Sequence, residues 1–378
     1  MTPRTARRVP AIFILMACTL LPGCRRQRPA APEPFVALVA NAGSDSIAVV
    51  DLAAFRLIRS IPTPGEPADI AVRPRRREFC VSTESGNLEM ISFPKLQPQW
   101  TLSAGASASD VVFSPNGDTV QVLDPSNGDV VFVDAKTGRI RGRVHLAKRL
   151  AHLAITPRGN TLLATDPARG RVFFIDAATK QIAGSTGAGP RPGPLIILPD
   201  GSKAFVADTD SPYISVVDIA RRKLMLRIKL GAPPSALALK PDGGEIFVLN
   251  GGAGTISILD ATDDDLEQTL PTGPNPSAGI FNRSSALFYL ATRDDGSVET
   301  LQVATRQLLA STHVGIAPTA LALTPGDEYV AVADATSGSL AILRASTGQL
   351  ITTIPVGADP SQVVVPDWLW TGAQSAGK

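Results

Sequence analysis

Four polar side chains stand at matched places in this chain: Asp69, Asp110, His152 and Gln362. Asp110 follows Asp69 by 41 residues and His152 follows Asp110 by 42, and each precedes an apolar run such as Val111-Val112-Phe113 or Val363-Val364-Val365. Two carboxylates, an imidazole and an amide could hold a divalent cation or position a polar ligand. The same side chains could instead only solvate a channel entrance. Corresponding positions elsewhere carry Pro194, Ala236, Ala278 and Ala320, so the polar set is one-sided. That asymmetry gives a ligand an orientation, which a uniform ring would not. A second set, Asn41, Asp124, Asp166, Asp208, Asn250 and Asp334, lies ten residues before Asp51, Asp134, Asp176, Asp218, Asp260 and Arg344 respectively. An Asx side chain there caps a turn through its own backbone, or six of them form a ligand or calcium ring.

The elements that must position these residues are set by a beat of 42 residues. Asp134, Asp176, Asp218 and Asp260 end short apolar strands at that spacing, and the frame extends back to Asp51 and Ser92 and forward to Gln302 and Arg344. Eight short-strand copies of this size indicate a β-propeller. In the fifth repeat the four strands read Pro234–Leu239 (a), Ile246–Leu249 (b), Thr255–Leu259 (c) and about Leu266–Leu270 (d), with Lys240-Pro241-Asp242-Gly243-Gly244 turning between a and b. Pro presets φ and Gly accepts a positive one, which suits such turns. The repeats cover 35–370 at most, which is eight times 42 residues and favours eight blades over seven. Phe35–Ala40 is a b strand with no a strand before it, and Pro360–Val365 at the other end supplies one. Closing the ring this way removes open sheet edges. Along strand a, large residues (Ile70, Leu153, Leu237) alternate with small ones (Ala71, Ala154, Ala238), so that one blade seats on the next. Gly279-Ile280 inverts that order.

Phe205-Val206-Ala207-Asp208, Ile214-Ser215-Val216-Val217-Asp218, Pro241-Asp242-Gly243 and the Gly-x-x-Pro of Gly231–Pro234 resemble the YVTN-repeat family of β-propellers, whose YncE-like members are bacterial periplasmic and surface proteins. The resemblance implies fold rather than activity, and eight blades depart from the seven common in that family. The architecture also resembles propeller lactonases and haem d1-binding propellers. Either would need clustered metal carboxylates or axial ligands, which only Asp69, Asp110, His152 and Gln362 could supply. Quinoprotein propellers carry Trp in every blade, whereas Trp100, Trp368 and Trp370 are the only tryptophans here. The last two could cover the underside or anchor a partner.

At the N-terminus, Arg4, Arg7 and Arg8 precede the apolar run Ala11–Leu21, and Leu21-Pro22-Gly23-Cys24 follows. This is the order of a secretory signal, and its end resembles a bacterial lipobox with Cys24 as the lipidated residue. The organisation read from the chain is a signal over 1–23, a lipidated Cys and tether over 24–34, a propeller over 35–366 and a tail over 367–378. Removing 1–23 takes three Arg from 36 basic residues and leaves 33 against 34 acidic, which gives no case for nucleic acid. Cys80 is then the one cysteine left in the domain and reads as a core residue. No Gly-x-Ser-x-Gly elbow and no His pair at metal spacing occurs, and His145 and His313 fall near outer strands. Arg73, Arg75, Arg76, Arg77, Arg221, Arg222 and Lys223, with Arg25, Arg26 and Arg28 of the tether, collect on the a–b side and could face anionic lipid, although Asp263–Asp265 share it. The expectation is an exported, lipid-anchored, monomeric binding or scaffold module that takes a protein or small ligand on its b–c face and requires no cofactor. The other reading is an envelope enzyme, metal-dependent and lactonase-like or haem d1-binding, working through the polar arc.

Overall fold

Turn residues every few positions cut the chain into strands too short to form one sheet, and the repeat stacks them into eight sheets. The computed structural model describes residues 35–368; Cys24, the segments 1–23 and 24–34, and Trp370 lie outside them. Thirty-two strands form eight antiparallel four-stranded sheets, each in the order a-b-c-d. The fifth repeat, which is blade 6 counted from the N-terminal blade, has strands Ala236–Leu239, Glu245–Asn250, Thr255–Asp260 and Asp265–Pro271, within two residues of expectation. Blade 1 is built from both ends of the described chain. Strand b (Val36–Asn41) pairs with the C-terminal strand a (Pro360–Val364), Val39 opposite Val363 and Ala40 opposite Gln362. Strand a of every blade touches strand a of the next all round the ring, so the a strands line the axis.

Eight apolar clusters occupy the eight blade interfaces. The one between blades 1 and 2 joins Leu38, Ile47 and Val49 to Ile70, Phe79 and Val81, all nearly or wholly buried. The small partner Ala71 faces the other way, onto the cluster shared with blade 3. The large and small positions of strand a therefore serve opposite interfaces, as the alternation requires. At Gly279 the order inverts because a Cβ there would lie 2.3 Å from Phe288 Cζ. The Phe288 ring fills that volume and packs with Phe247 and Phe281 at centroid separations of 4.6 to 4.8 Å.

The acidic residues that mark the 42-residue beat cap the c–d turns. Asp176 Oδ1 accepts from the amides of Ala178 and Thr179, and Asp260 Oδ1 from those of Thr262 and Asp263. Cys80 is fully buried, and burial pushes its thiol well above the usual range. Trp368 packs on Phe93 at a centroid distance of 4.5 Å. Arg73 corrects one expectation: it is only 6% exposed, and its guanidinium donates to Gly117 O at 2.6 Å and pairs with Glu78 at 2.6 Å. It ties blade 2 to blade 3 and takes no part in a basic surface.

Candidate functional site

Strand a of each blade begins on the face that carries the b–c turns and d–a connections, and the four polar residues stand at that beginning. The structure brings Gln362, Asp69, Asp110 and His152 together on blades 1 to 4 as two hydrogen-bonded pairs. Gln362 Nε2 donates to Asp69 Oδ1 at 2.7 Å, and His152 Nδ1 lies 3.2 Å from Asp110 Oδ2. Each of the first three also accepts a backbone N–H from the next blade: Gln362 Oε1 from Ile70 at 2.7 Å, Asp69 Oδ2 from Val111 at 2.7 Å and Asp110 Oδ2 from Leu153 at 2.9 Å. These residues are thus stitches between inner strands as well as channel-mouth groups. Asp69 is enclosed by protein on most sides while keeping an opening to the channel. Burial raises its pKa, the Val111 amide and Gln362 lower it, and Asp110 nearby raises it again.

The opposite arc is stitched by different chemistry. Ser277 Oγ donates to Pro318 O at 2.8 Å and Thr319 Oγ1 to Pro360 O at 2.9 Å, each reaching the next blade. Hydroxyl donors to carbonyls on one side replace carboxylate and amide acceptors on the other. The sequence reading missed these hydroxyls, although Ser235, Ser277, Thr319 and Ser361 stand directly before the strand-a positions it compared. Because the stitches use up both oxygens of Asp69, the groups left without a partner among the described residues are Asp110 Oδ1 and His152 Nε2. The His152 side chain is 41% exposed and that of Asp110 30%. An imidazole held by a carboxylate at Nδ1 presents its other nitrogen in a fixed direction, as metal-binding and proton-transferring histidines do. Among the described residues, however, no group of three or more His, Cys, Asp or Glu is disposed to hold a metal ion.

The Asx ring sits on the same face and is fully buried at all six positions. Asp124 Oδ1 accepts from the amides of Ser107 and Asn127 and from Ser107 Oγ, while Oδ2 accepts from the Ala106 amide and Asn127 Nδ2. Asp334 likewise accepts from Ala317 and Ser337, and Asp208 from Arg191, Ser211 and Arg227. Asp166 takes both the amide and guanidinium of Arg169. Asn41 donates to Val356 O and Asn250 to Ser257 Oγ. Each aspartate caps its b–c turn, and Asp124, Asp208 and Asp334 also clamp the incoming d–a connection. The remaining two positions are the buried Thr83 and Thr292, whose hydroxyls bond Ser85 and Asp295 within their own b–c turns. Glycines in several d–a connections have their reason here: a Cβ on Gly105 would lie 1.7 Å from Asp124 Oδ2, and one on Gly315 1.8 Å from Asp334 Oδ2. His145 and His313 lie on outer strands, exposed, beside Asp129 and the carbonyl of Asp295.

This ring of eight blades is shared with a solved enzyme. The dihydro-haem d1 dehydrogenase NirN in complex with DHE superposes with a TM-score of 0.76 at 16% identity, covering 91% of this chain and 77% of that one. The Kuenenia stuttgartiensis hydrazine synthase gives a TM-score of 0.56 at 19% identity, over 69% of this chain and 92% of that one. At these identities the likeness is one of fold. No protein-family model and no curated protein sequence matches the chain.

Proposed function

We propose that this chain is an exported, lipid-anchored propeller of the YVTN-repeat, YncE-like type that serves as a binding module in the cell envelope, taking a partner protein or small ligand on its b–c face. The observation that carries the binding reading is the break in eightfold symmetry at the channel mouth, where Asp110 Oδ1 and His152 Nε2 stand unpartnered beside a ring otherwise closed on itself. The anchor rests on Arg4, Arg7 and Arg8, the apolar run after them and Cys24. Purified protein is expected to carry no stoichiometric metal and to melt at the same temperature with and without chelator. One metal per chain, lost on Asp110→Ala, would replace the module by a metal-dependent enzyme. Cys24→Ala is expected to release the protein from membranes, and continued firm attachment of that variant would remove the anchor.

A second reading is favoured by the likeness to NirN together with the Asp110–His152 pair. In it the mouth would hold a tetrapyrrole, with His152 Nε2 as a donor to its iron and Asp110 aligning the imidazole. The bound group would supply redox chemistry; the chain supplies the donor and its alignment. Titration with haem d1 is expected to shift the absorption bands with wild type and not with His152→Ala. Identical spectra for the two proteins would eliminate this reading.

A further inference from the structure

On the face opposite the mouth, the left-handed residue of some c–d turns reaches back to the first residue of strand b in the preceding blade. Between blades 6 and 7 that contact is an ion pair of Arg306 with Glu245, and between blades 5 and 6 the polarity is reversed, Lys203 Nζ lying 2.7 Å from Asp264. Between blades 3 and 4 the turn residue is Lys180, but strand b begins with Thr119. Lys180 forms no ion pair with any described residue; its Nζ lies 6.0 Å from the centroid of the Phe132 ring. Its stem crosses the outer strand of blade 3 where Gly142 leaves room, since a Cβ there would meet Lys180 Cδ at 2.6 Å. Its Nζ reaches the Ala178 carbonyl at 3.5 Å, and the described residues supply it no counter-ion.

The same interface lacks filling two residues further along strand b. Where blades 5, 6 and 7 carry Phe205, Phe247 and Tyr289 and the rest smaller non-aromatic residues, blade 3 has the polar Gln121. That residue is 1% exposed, its Nε2 donates to Thr119 Oγ1 at 2.9 Å, and its Oε1 has no partner. Exchanging the amide ends leaves the other atom unpartnered instead. A buried amide group without a partner is destabilising, and a ligand that supplies the partner relieves that cost. The groove so formed has a volume of about 640 Å³ and is lined by Gln121, Phe132, Lys180, Arg158, Asn116 and Asp118 among others. Arg158 is exposed and makes no ion pair with a described residue. Arg141 at the edge is held by Asp134 at 2.6 Å, and Asp118 accepts from Asn116 Nδ2.

We propose that this groove between blades 3 and 4 binds a phosphorylated polyol, with Lys180 and Arg158 on the phosphate and the free end of the Gln121 amide on a hydroxyl. Two cations without a carboxylate partner match the one to two negative charges and the strong acceptor oxygens of a phosphate ester. A neutral hydroxyl satisfies the buried amide without adding charge. The site is distinct from the channel mouth and independent of what binds there.

Calorimetric titration of the full chain tests it, with sn-glycerol 3-phosphate, dihexanoylphosphatidylglycerol, inorganic phosphate and glycerol as probes. Glycerol 3-phosphate or the short-chain lipid is expected to bind at least about tenfold more tightly than inorganic phosphate; the first result marks a soluble ligand and the second a lipid headgroup. Lys180→Gln is expected to lower that affinity at least about tenfold while leaving the melting temperature unchanged. Thr119→Glu gives Lys180 the partner that Arg306 has in Glu245, and is expected to abolish binding while the chain stays folded. Failure of both polyol phosphates to bind overturns the proposal. So does equal binding of inorganic phosphate, the mark of an adventitious ion only, and so does undiminished affinity in a well-folded Lys180→Gln or Thr119→Glu.

Discussion

At the scale of single residues, a buried carboxylate and a glycine act as one device. Asp124 is fully buried and takes five hydrogen bonds through its two oxygens; these, led by those from Asn127, outweigh burial and hold its pKa below the ordinary value of 3.8. Asn in its place would turn one end of the group from acceptor to donor and oppose donor to donor. Asp124→Asn is therefore expected to lower stability by about 1–3 kcal/mol. Gly105→Ala cannot keep the carboxylate where it is and is expected to cost about as much, of the order seen on overpacking a core. Urea unfolding of both variants and of the double variant checks this, and costs that add in the double variant would show that the two residues do not act together. The turn-capping role of the Asx ring was legible in sequence because it depends on local backbone. The clamp on the d–a connection was not, since Asp124 and Gly105 meet only once strand b lies beside that connection.

Among elements, the C-terminal strand a of blade 1 has the largest consequence for its length. Its Val363 is buried in the interface with blade 8, Gln362 holds Ile70 of blade 2, and the carbonyl of Pro360 receives Thr319. Deleting 358–378 strips the pairing partner from Val36–Asn41 and opens the ring on both sides. The truncated chain is expected to lose more than about 4 kcal/mol, beyond the range of ordinary substitutions, and to gain a tendency to associate through the exposed strand edge. Melting and sedimentation together test this; a truncated monomer with the wild-type melting temperature would show that closure is incidental. The pairing could be inferred from a b strand without a partner at one end and an a strand without a blade at the other. The two chemistries that stitch the inner strands could not, because the reach of a side chain into the next blade depends on the angle between sheets.

For the molecule as a whole, the repetition of turn carboxylates makes acid stability a collective property. Asp134, Asp176, Asp218 and Asp260 are held as anions below 3.8, through Arg141 in the first and chiefly through turn amides and the side chains beside them in the others. In the unfolded chain these groups take up protons first, so their contribution, present above about pH 4, is lost as pH falls through the lowered folded values. Asp69 and Glu299 run the other way: burial raises both above their ordinary values of 3.8 and 4.5, so stability declines as pH rises through their range. The urea midpoint is expected to fall steeply below pH 4, and Asp69→Asn with Glu299→Gln to flatten its decline on the alkaline side of that point. An unchanged pH profile in the double variant would refute the second half of this account.

Blade number, strand order and ring closure were determined by the sequence alone, because each follows from a period and from side-chain alternation within a few residues. The packing of large against small residues along strand a followed from the same local pattern. Tertiary structure decided what breaks the symmetry. Only the closed ring shows that Asp69 is consumed by its stitches while His152 Nε2 has no partner among the described residues, that Arg73 is buried, and that Lys180 faces Thr119 where Arg306 faces the carboxylate of Glu245. The physical reason is that hydrogen bonds and ion pairs between blades join residues about 40 to 60 positions apart, or some 290 across the seam, at distances set by the angle between sheets, which no single repeat encodes.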